Sequence, residues 1–133
     1  MIKWNDKYLV GIDIVDTQHK QLFIIAQEAE ATLKSTHIDK YYEIMNILNE
    51  LRKYTEFHFL TEEKLMEQTN YSNLHIHKTE HDAFIHKIIS VLDELDEESD
   101  DVALKAILIF IIDWISEHIR LRDKDMSNYI LNL

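Results

Sequence analysis

The chain reads as all-α: an antiparallel up-down-up-down four-helix bundle with an N-terminal arm and a short C-terminal tail. Three observations carry this expectation. The 133 residues contain no proline and a single glycine, Gly11, so hairpin and turn signals are scarce. Leu, Ile, Glu, Lys and Asp dominate, with few strand signals among them. Apolar residues recur in alternating steps of three and four along four separate segments, which keeps one stripe of each facing a neighbour. At this length one domain, residues 1–133, can bury a hydrophobic core without disulfide or metal staples.

The first stripe runs Val15, His19, Leu22, Ala26, Ala29, Leu33, with Asp16 or Thr17 as the expected N-cap and a break near "KSTHID". A second follows through Ile44, Leu48, Leu51, Thr55, His58, Glu62 and Leu65, ending near "QTNYSN". The third, through Leu74, His77, His81, Phe84, Ile88, Val91 and Leu95, is closed by the acidic stretch "DELDEESDD", which has the composition of a solvated helix end. Leu104, Leu108, Ile111, Ile115 and His118 form the fourth, with Ser99, Asp100 or Asp101 as its cap. Short polar connections favour antiparallel neighbours, leaving residues 1–15 as an arm across the bundle and those after 122 as a tail.

Composition excludes several functions. Without cysteine there can be no disulfide, iron–sulfur cluster or thiolate zinc site, so any metal must be held by His, Asp and Glu. A formal charge of −11 disfavours nucleic acid and anionic membrane surfaces, both of which demand clustered Lys and Arg. The longest apolar run, residues 103–115, is interrupted by Lys105 and Asp113 and is too short to span a bilayer. The N-terminus has no signal-type apolar core, so a cytoplasmic location is expected.

Six polar residues lie on stripes that should be greasy: His19, His58, Glu62, His77, His81 and His118. One neutral imidazole with a partner sits comfortably in a core. Burying a carboxylate and five imidazoles without compensating charge costs several kcal/mol per group, on the order of the penalty for any unpaired buried polar group. A cation among them turns each into a satisfied ligand. Residues four apart on a helix differ by about 40° in azimuth and about 6 Å along the axis, so His58/Glu62 and His77/His81 each aim two donors at one region. His19 and His118 come from the other two helices. Six or seven donors exceed one tetrahedral zinc and suit two octahedral ions bridged by carboxylate. Iron fits the nitrogen-rich set, with zinc, manganese and copper left open.

Asp123, in "HIRLRD", is a seventh candidate. Five residues from His118 is about 140° round a regular helix, so both can face a metal only if the helix ends, loosens or carries a π-type irregularity between them. Otherwise Asp123 is one more exposed acid beside Arg120, Arg122 and Lys124. His37, in a connection, and His75 and His86, off the stripe, read as surface residues. Met45, Met66, Phe23, Tyr54 and Phe84 read as core filling, with Phe84 the ring expected to touch the site.

"DTQH" at 16–19, "HFLTE" at 58–62, "HKTEH" at 77–81 and "HIRLRD" at 118–123 resemble the hemerythrin family in order, spacing and helix placement, and more closely its single-domain bacterial branch. The likeness covers nearly the whole chain, including an arm with Trp4 and Tyr8. It implies two non-haem iron ions per chain, oxo- or hydroxo-bridged, binding dioxygen reversibly. By that resemblance His77, His81 and His118 would complete one iron, His19 and His58 would hold the other, and Glu62 and Asp123 would bridge them. Dioxygen would bind at the open position of the second iron, in a pocket walled by Leu22, Thr55, Trp114 and Ile115.

The function expected is therefore an oxygen carrier, store or deliverer, not an enzyme. An oxygen-accepting protein partner is left unidentified. Oxidising di-iron bundles of the ferritin type use Glu-x-x-His pairs, and no glutamate here has a histidine three residues later. The alternatives are peroxide- or nitric-oxide-handling chemistry, or an oxygen or redox sensor acting through a separate chain.

Overall fold

The computed structural model describes residues 2–35 and 40–133, so His37 lies outside the described residues. Four long helices form the bundle: α1 (Asp13–Lys34), α2 (Lys40–Gln68), α3 (Leu74–Asp93) and α4 (Asp101–His118). α1 packs against α2 and α4, and α2 against α3. The described residues contain no strand. Each helix buries the stripe read from its periodicity, with Met66 and Leu92 fully or nearly buried where Leu65 and Val91 are half-buried. Chain order puts Ala29, Ile44, Leu92 and Leu104 at one end of the bundle and every buried histidine at the other. The described residues buried at the first end are apolar.

The helix ends follow local chemistry. Asp100 caps α4, its carboxylate accepting from the Ala103 amide at 2.9 Å. Beyond the end of α2, Asn70 takes a left-handed φ of 55°. α1 departs from expectation: it begins at Asp13 after Ile12, so neither Asp16 nor Thr17 is its cap. Asp16 lies in the first turn and reaches back, accepting from the amides of Val10 at 2.8 Å and Gly11 at 3.1 Å. It holds the arm to the helix instead of closing the helix itself. Gly11 makes this turn with φ +97°, a region in which side chains are strained. Asp16→Ala should strand two amides and cost about 1–3 kcal/mol, read as a lower denaturation midpoint with an unchanged helical spectrum.

The arm, with a 3-10 turn at Asp6–Tyr8, lies on α1 through its aromatic residues. Tyr8 stacks on Phe23 at 5.1 Å, and Trp4 meets the same ring edge-on at 5.4 Å. The tail also differs from expectation. After α4 comes a π-helical turn, Ile119–Asp123, and then an ordered helix, α5 (Lys124–Leu131). Buried Met126 fastens α5 to the core. The Tyr129 hydroxyl donates to the Thr69 carbonyl at 2.8 Å, and Lys124 Nζ donates to the Leu9 carbonyl at 3.1 Å. The segment therefore folds because it has three neighbours to bind: α2, the arm and the core.

Candidate metal centre

The π turn decides the site. An i→i+5 turn accommodates one residue more than an α turn, so positions five apart return to the same side of the helix. His118 Nε2 and Asp123 Oδ1 accordingly lie 3.2 Å apart, both buried, while Arg120, Leu121 and Arg122 point outward. Asp123 joins the cluster through the π-type irregularity, one of the three alternatives its spacing left open.

All seven residues, His19, His58, Glu62, His77, His81, His118 and Asp123, are 5% exposed or less, and all converge. They divide into two groups. Glu62, His77, His81, His118 and Asp123 offer one ligating atom each within a common sphere, and His19, His58, Glu62 and Asp123 form a second such set. The carboxylates belong to both. Glu62 Oε1 faces His81 Nε2 at 3.2 Å while Oε2 faces His58 Nε2 at 3.1 Å. Asp123 Oδ1 faces His77 Nε2 at 3.0 Å while Oδ2 faces His19 Nε2 at 3.0 Å. Each carboxylate thus straddles the two groups, one oxygen to each.

The donor set fits cations. His118 Nε2 stands 3.0 Å from His81 Nε2 and 3.1 Å from His77 Nε2, so ring nitrogens crowd together where they would repel unless something positive lay between them. His58 Nε2 and both Glu62 oxygens are buried without a hydrogen-bond partner, a cost that coordination removes.

In the metal-free protein, protons must fill that role. Burial opposes charging His19 and His77, but the adjacent Asp123 and Glu62 carboxylates outweigh it and raise each to about 9. His81 is raised as well, the neighbouring Glu62 and Glu63 carboxylates outweighing burial. Burial opposes ionising Glu62 and Asp123, yet the surrounding imidazoles hold both below the usual carboxylate range. The raised histidines contribute stability that is complete below 6.5, their unfolded value, and lost as pH climbs through about 9. The depressed carboxylates contribute stability that is lost as pH falls below the ordinary carboxylate range. Chelator-stripped protein should therefore unfold at lower denaturant at about pH 9.5 than at about pH 6, followed by circular dichroism.

Two aromatic rings lie on the histidines. Phe59 stacks on His81 at 3.7 Å and 2°, and Trp114 on His118 at 4.6 Å and 13°. Phe84 stacks on Trp114 at 3.8 Å, one layer back from the histidine, so the ring expected to touch the site is replaced there by Phe59. A cavity of about 10 Å³ adjoins the cluster, lined by Leu22, Phe59, Trp114, Ile115 and Ile119 together with His19, His58, His118 and Asp123. Thr55 is not among its lining; it is buried, with its hydroxyl donating to the Leu51 carbonyl at 2.7 Å. A much larger cleft of about 850 Å³, between the arm, α1 and α4, touches none of the seven residues.

The outward nitrogens have partners that periodicity did not single out. His58 Nδ1 meets Gln18 Oε1 at 2.7 Å, and His81 Nδ1 meets Glu63 Oε2 at 2.9 Å. His118 Nδ1 lies 3.6 Å from Glu80 Oε2, an ion-pair distance too long for a hydrogen bond. A signal was available: Gln18, Glu63 and Glu80 are the sequence neighbours of His19, Glu62 and His81. About 100° round the helix from the inward stripe, each reaches the next helix. His75 and His86 are exposed and outside the cluster.

Residues 10–130 match the family model of the hemerythrin HHE cation binding domain. The chain is 40% identical over 127 residues to a bacteriohemerythrin of Clostridium acetobutylicum, covering 94% of this chain and 98% of that one. It is 32% identical over 118 residues to a myohemerythrin of Riftia pachyptila, covering 88% and 83%. Its fold superposes on a wild-type hemerythrin crystal structure with a TM-score of 0.80 at 23% identity, covering 98% of each chain. With the helical bundle, the family model and these relatives in agreement over nearly its full length, the chain belongs to the hemerythrin family.

Proposed function

We propose that this protein binds dioxygen reversibly, as a carrier, store or deliverer, at two iron ions held by His19, His58, Glu62, His77, His81, His118 and Asp123. The observation that carries the reading is the inequality of the two donor groups, five on one side and four on the other, with Glu62 and Asp123 shared. The five residues of the larger group, with one shared oxygen, would saturate an octahedral ion, whereas the four of the smaller group would leave it one position short. His19, His58 and Asp123, three of the smaller group's four residues, line the cavity of about 10 Å³, close to the volume one water-sized sphere occupies. Leu22, Trp114 and Ile115 give that cavity apolar walls.

An iron pair supplies the two electrons that reversible dioxygen binding requires. The residues bind and space the ions, and the apolar walls exclude water. Five histidines and two carboxylates favour holding dioxygen over activating it. No helix of the described residues is long and apolar enough to cross a membrane, and the net charge is −11. The negative charge disfavours nucleic acid and anionic membrane surfaces as partners.

Optical spectroscopy with metal analysis tests the reading. Iron-loaded protein should hold two irons per chain and show oxo-bridged ferric charge-transfer bands that interconvert between deoxygenated and oxygenated forms. Zinc as the bound metal, a single ion per chain, or bands that do not reverse would overturn it.

A further inference from the structure

Three side chains back the histidines in a repeating pattern. Gln18 on α1 backs His58 on α2, Glu63 on α2 backs His81 on α3, and Glu80 on α3 stands behind His118 on α4. Each is the sequence neighbour of a member of the cluster, and each serves the next helix along the chain. The pattern is uneven in charge. Both partners in the five-donor group are carboxylates, and each carboxylate is held in turn by a cation. Lys78 Nζ lies 3.7 Å from Glu63 Oε1, and Arg122 clamps Glu80 through Nε at 2.9 and 3.0 Å and Nη2 at 2.8 Å. In the four-donor group the one partner is the neutral amide of Gln18, itself fixed by donation from Nε2 to Thr61 Oγ1 at 3.1 Å. His19 Nδ1 and His118 Nδ1 are both buried without a hydrogen-bond partner, so of the three backing side chains only Gln18 and Glu63 hydrogen-bond to their histidines.

A carboxylate on the outward N–H of an imidazole fixes the ring and strengthens the inward nitrogen as a ligand. A neutral amide oxygen fixes the ring with less effect on its donor strength, because a hydrogen bond to an anion is roughly twice as strong. We infer that Glu63, the carboxylate hydrogen-bonded to His81, is a positioning residue that makes the five-donor group the tighter of two unequal metal sites, while Gln18 leaves the four-donor group the weaker. The saturated ion is the firmly held one, and the ion with the open position is held more loosely. This rests on the proposed metal pair.

The test is an anaerobic titration of metal-free full-length protein with ferrous iron against a competing chelator. Wild type should take up two ions in two resolved steps. Glu63→Gln keeps an acceptor oxygen for His81 and removes only the charge. It should weaken the tighter step by about 10–100-fold and leave the weaker step within about threefold of wild type. Gln18→Glu should tighten the weaker step and narrow the gap. Glu63→Gln keeps the side chain's size at a partly exposed position, so its helical spectrum should match wild type whatever happens at buried Gln18.

An unchanged Glu63→Gln titration would overturn the inference, as would equal weakening of both steps or loss confined to the weaker step. Two-step uptake by wild type with Glu63→Gln unmoved counts against this inference alone. Failure of wild type to take up two ions counts against the di-iron reading itself.

Discussion

Glu62→Ala is expected to lose both ions, not one. Glu62 is fully buried, and its two oxygens face the two donor groups separately, at 3.2 Å from His81 and 3.1 Å from His58. Removing it takes one donor from each group and one negative charge from between two cations, so the repulsion between the ions rises as their attachment weakens. The apo state suffers too, because Glu62 contributes to holding protons on His19, His77 and His81. Iron content should fall below one per chain. The stabilisation that bound metal adds, about 4 kcal/mol when free metal exceeds the dissociation constant a thousandfold, should disappear with it. Metal analysis and thermal melting of the loaded variant are the measurements. Full occupancy with an unchanged oxygenated spectrum would rule out a shared carboxylate, and His75→Ala, at an exposed position, should match wild type.

Ile115→Ala should separate loading from protection. Ile115 is 3% exposed, sits one turn before His118, and lines the cavity beside His19 and His58. Bound dioxygen stays reversible only while water and protons are kept from it, and an apolar wall excludes both. Truncation of a buried isoleucine costs about 2–5 kcal/mol and opens space where there was barely room for one small molecule. None of the seven donors is touched. Two irons should remain, while the oxygenated band decays faster in air at fixed pH. A variant that keeps both irons and decays no faster would make Ile115 core packing and move the oxygen pocket elsewhere.

The bundle and six of the seven converging residues were legible because periodicity is a strong signal when every segment obeys it, whereas Asp123 was singled out as a ligand by the family resemblance. A stripe of Leu, Ile and Ala carrying His58 and Glu62 four apart announces both a helix and a contradiction in its core. The π turn was one of three ways, with a helix end or a loosened turn, that the five-residue spacing of His118 and Asp123 allowed both to face one site, and the structure takes it. The boundaries were less legible. Asp16 has the chemistry of a cap, yet it binds the amides of Val10 and Gly11, because the arm folds back at Gly11 and brings them within reach. No local propensity separates these two uses of an aspartate.

What the sequence determined by itself was the helical class, the inward stripes and a polar cluster that needs cations, since each follows from spacing along one chain. Spacing does not say how the donors divide; the family resemblance implied the division, and the tertiary structure shows it atom by atom. The split into five and four depends on which oxygen of Glu62 and Asp123 turns toward which helix, an interhelical angle that no spacing encodes. The same holds for Phe59 on His81, for Gln18, Glu63 and Glu80 behind their histidines, and for α5, whose order comes from contacts with the arm and α2. Helix periodicity reports which face turns inward. It carries no information about what the adjacent face meets on a neighbour, because that depends on the rotation and offset of two packed helices.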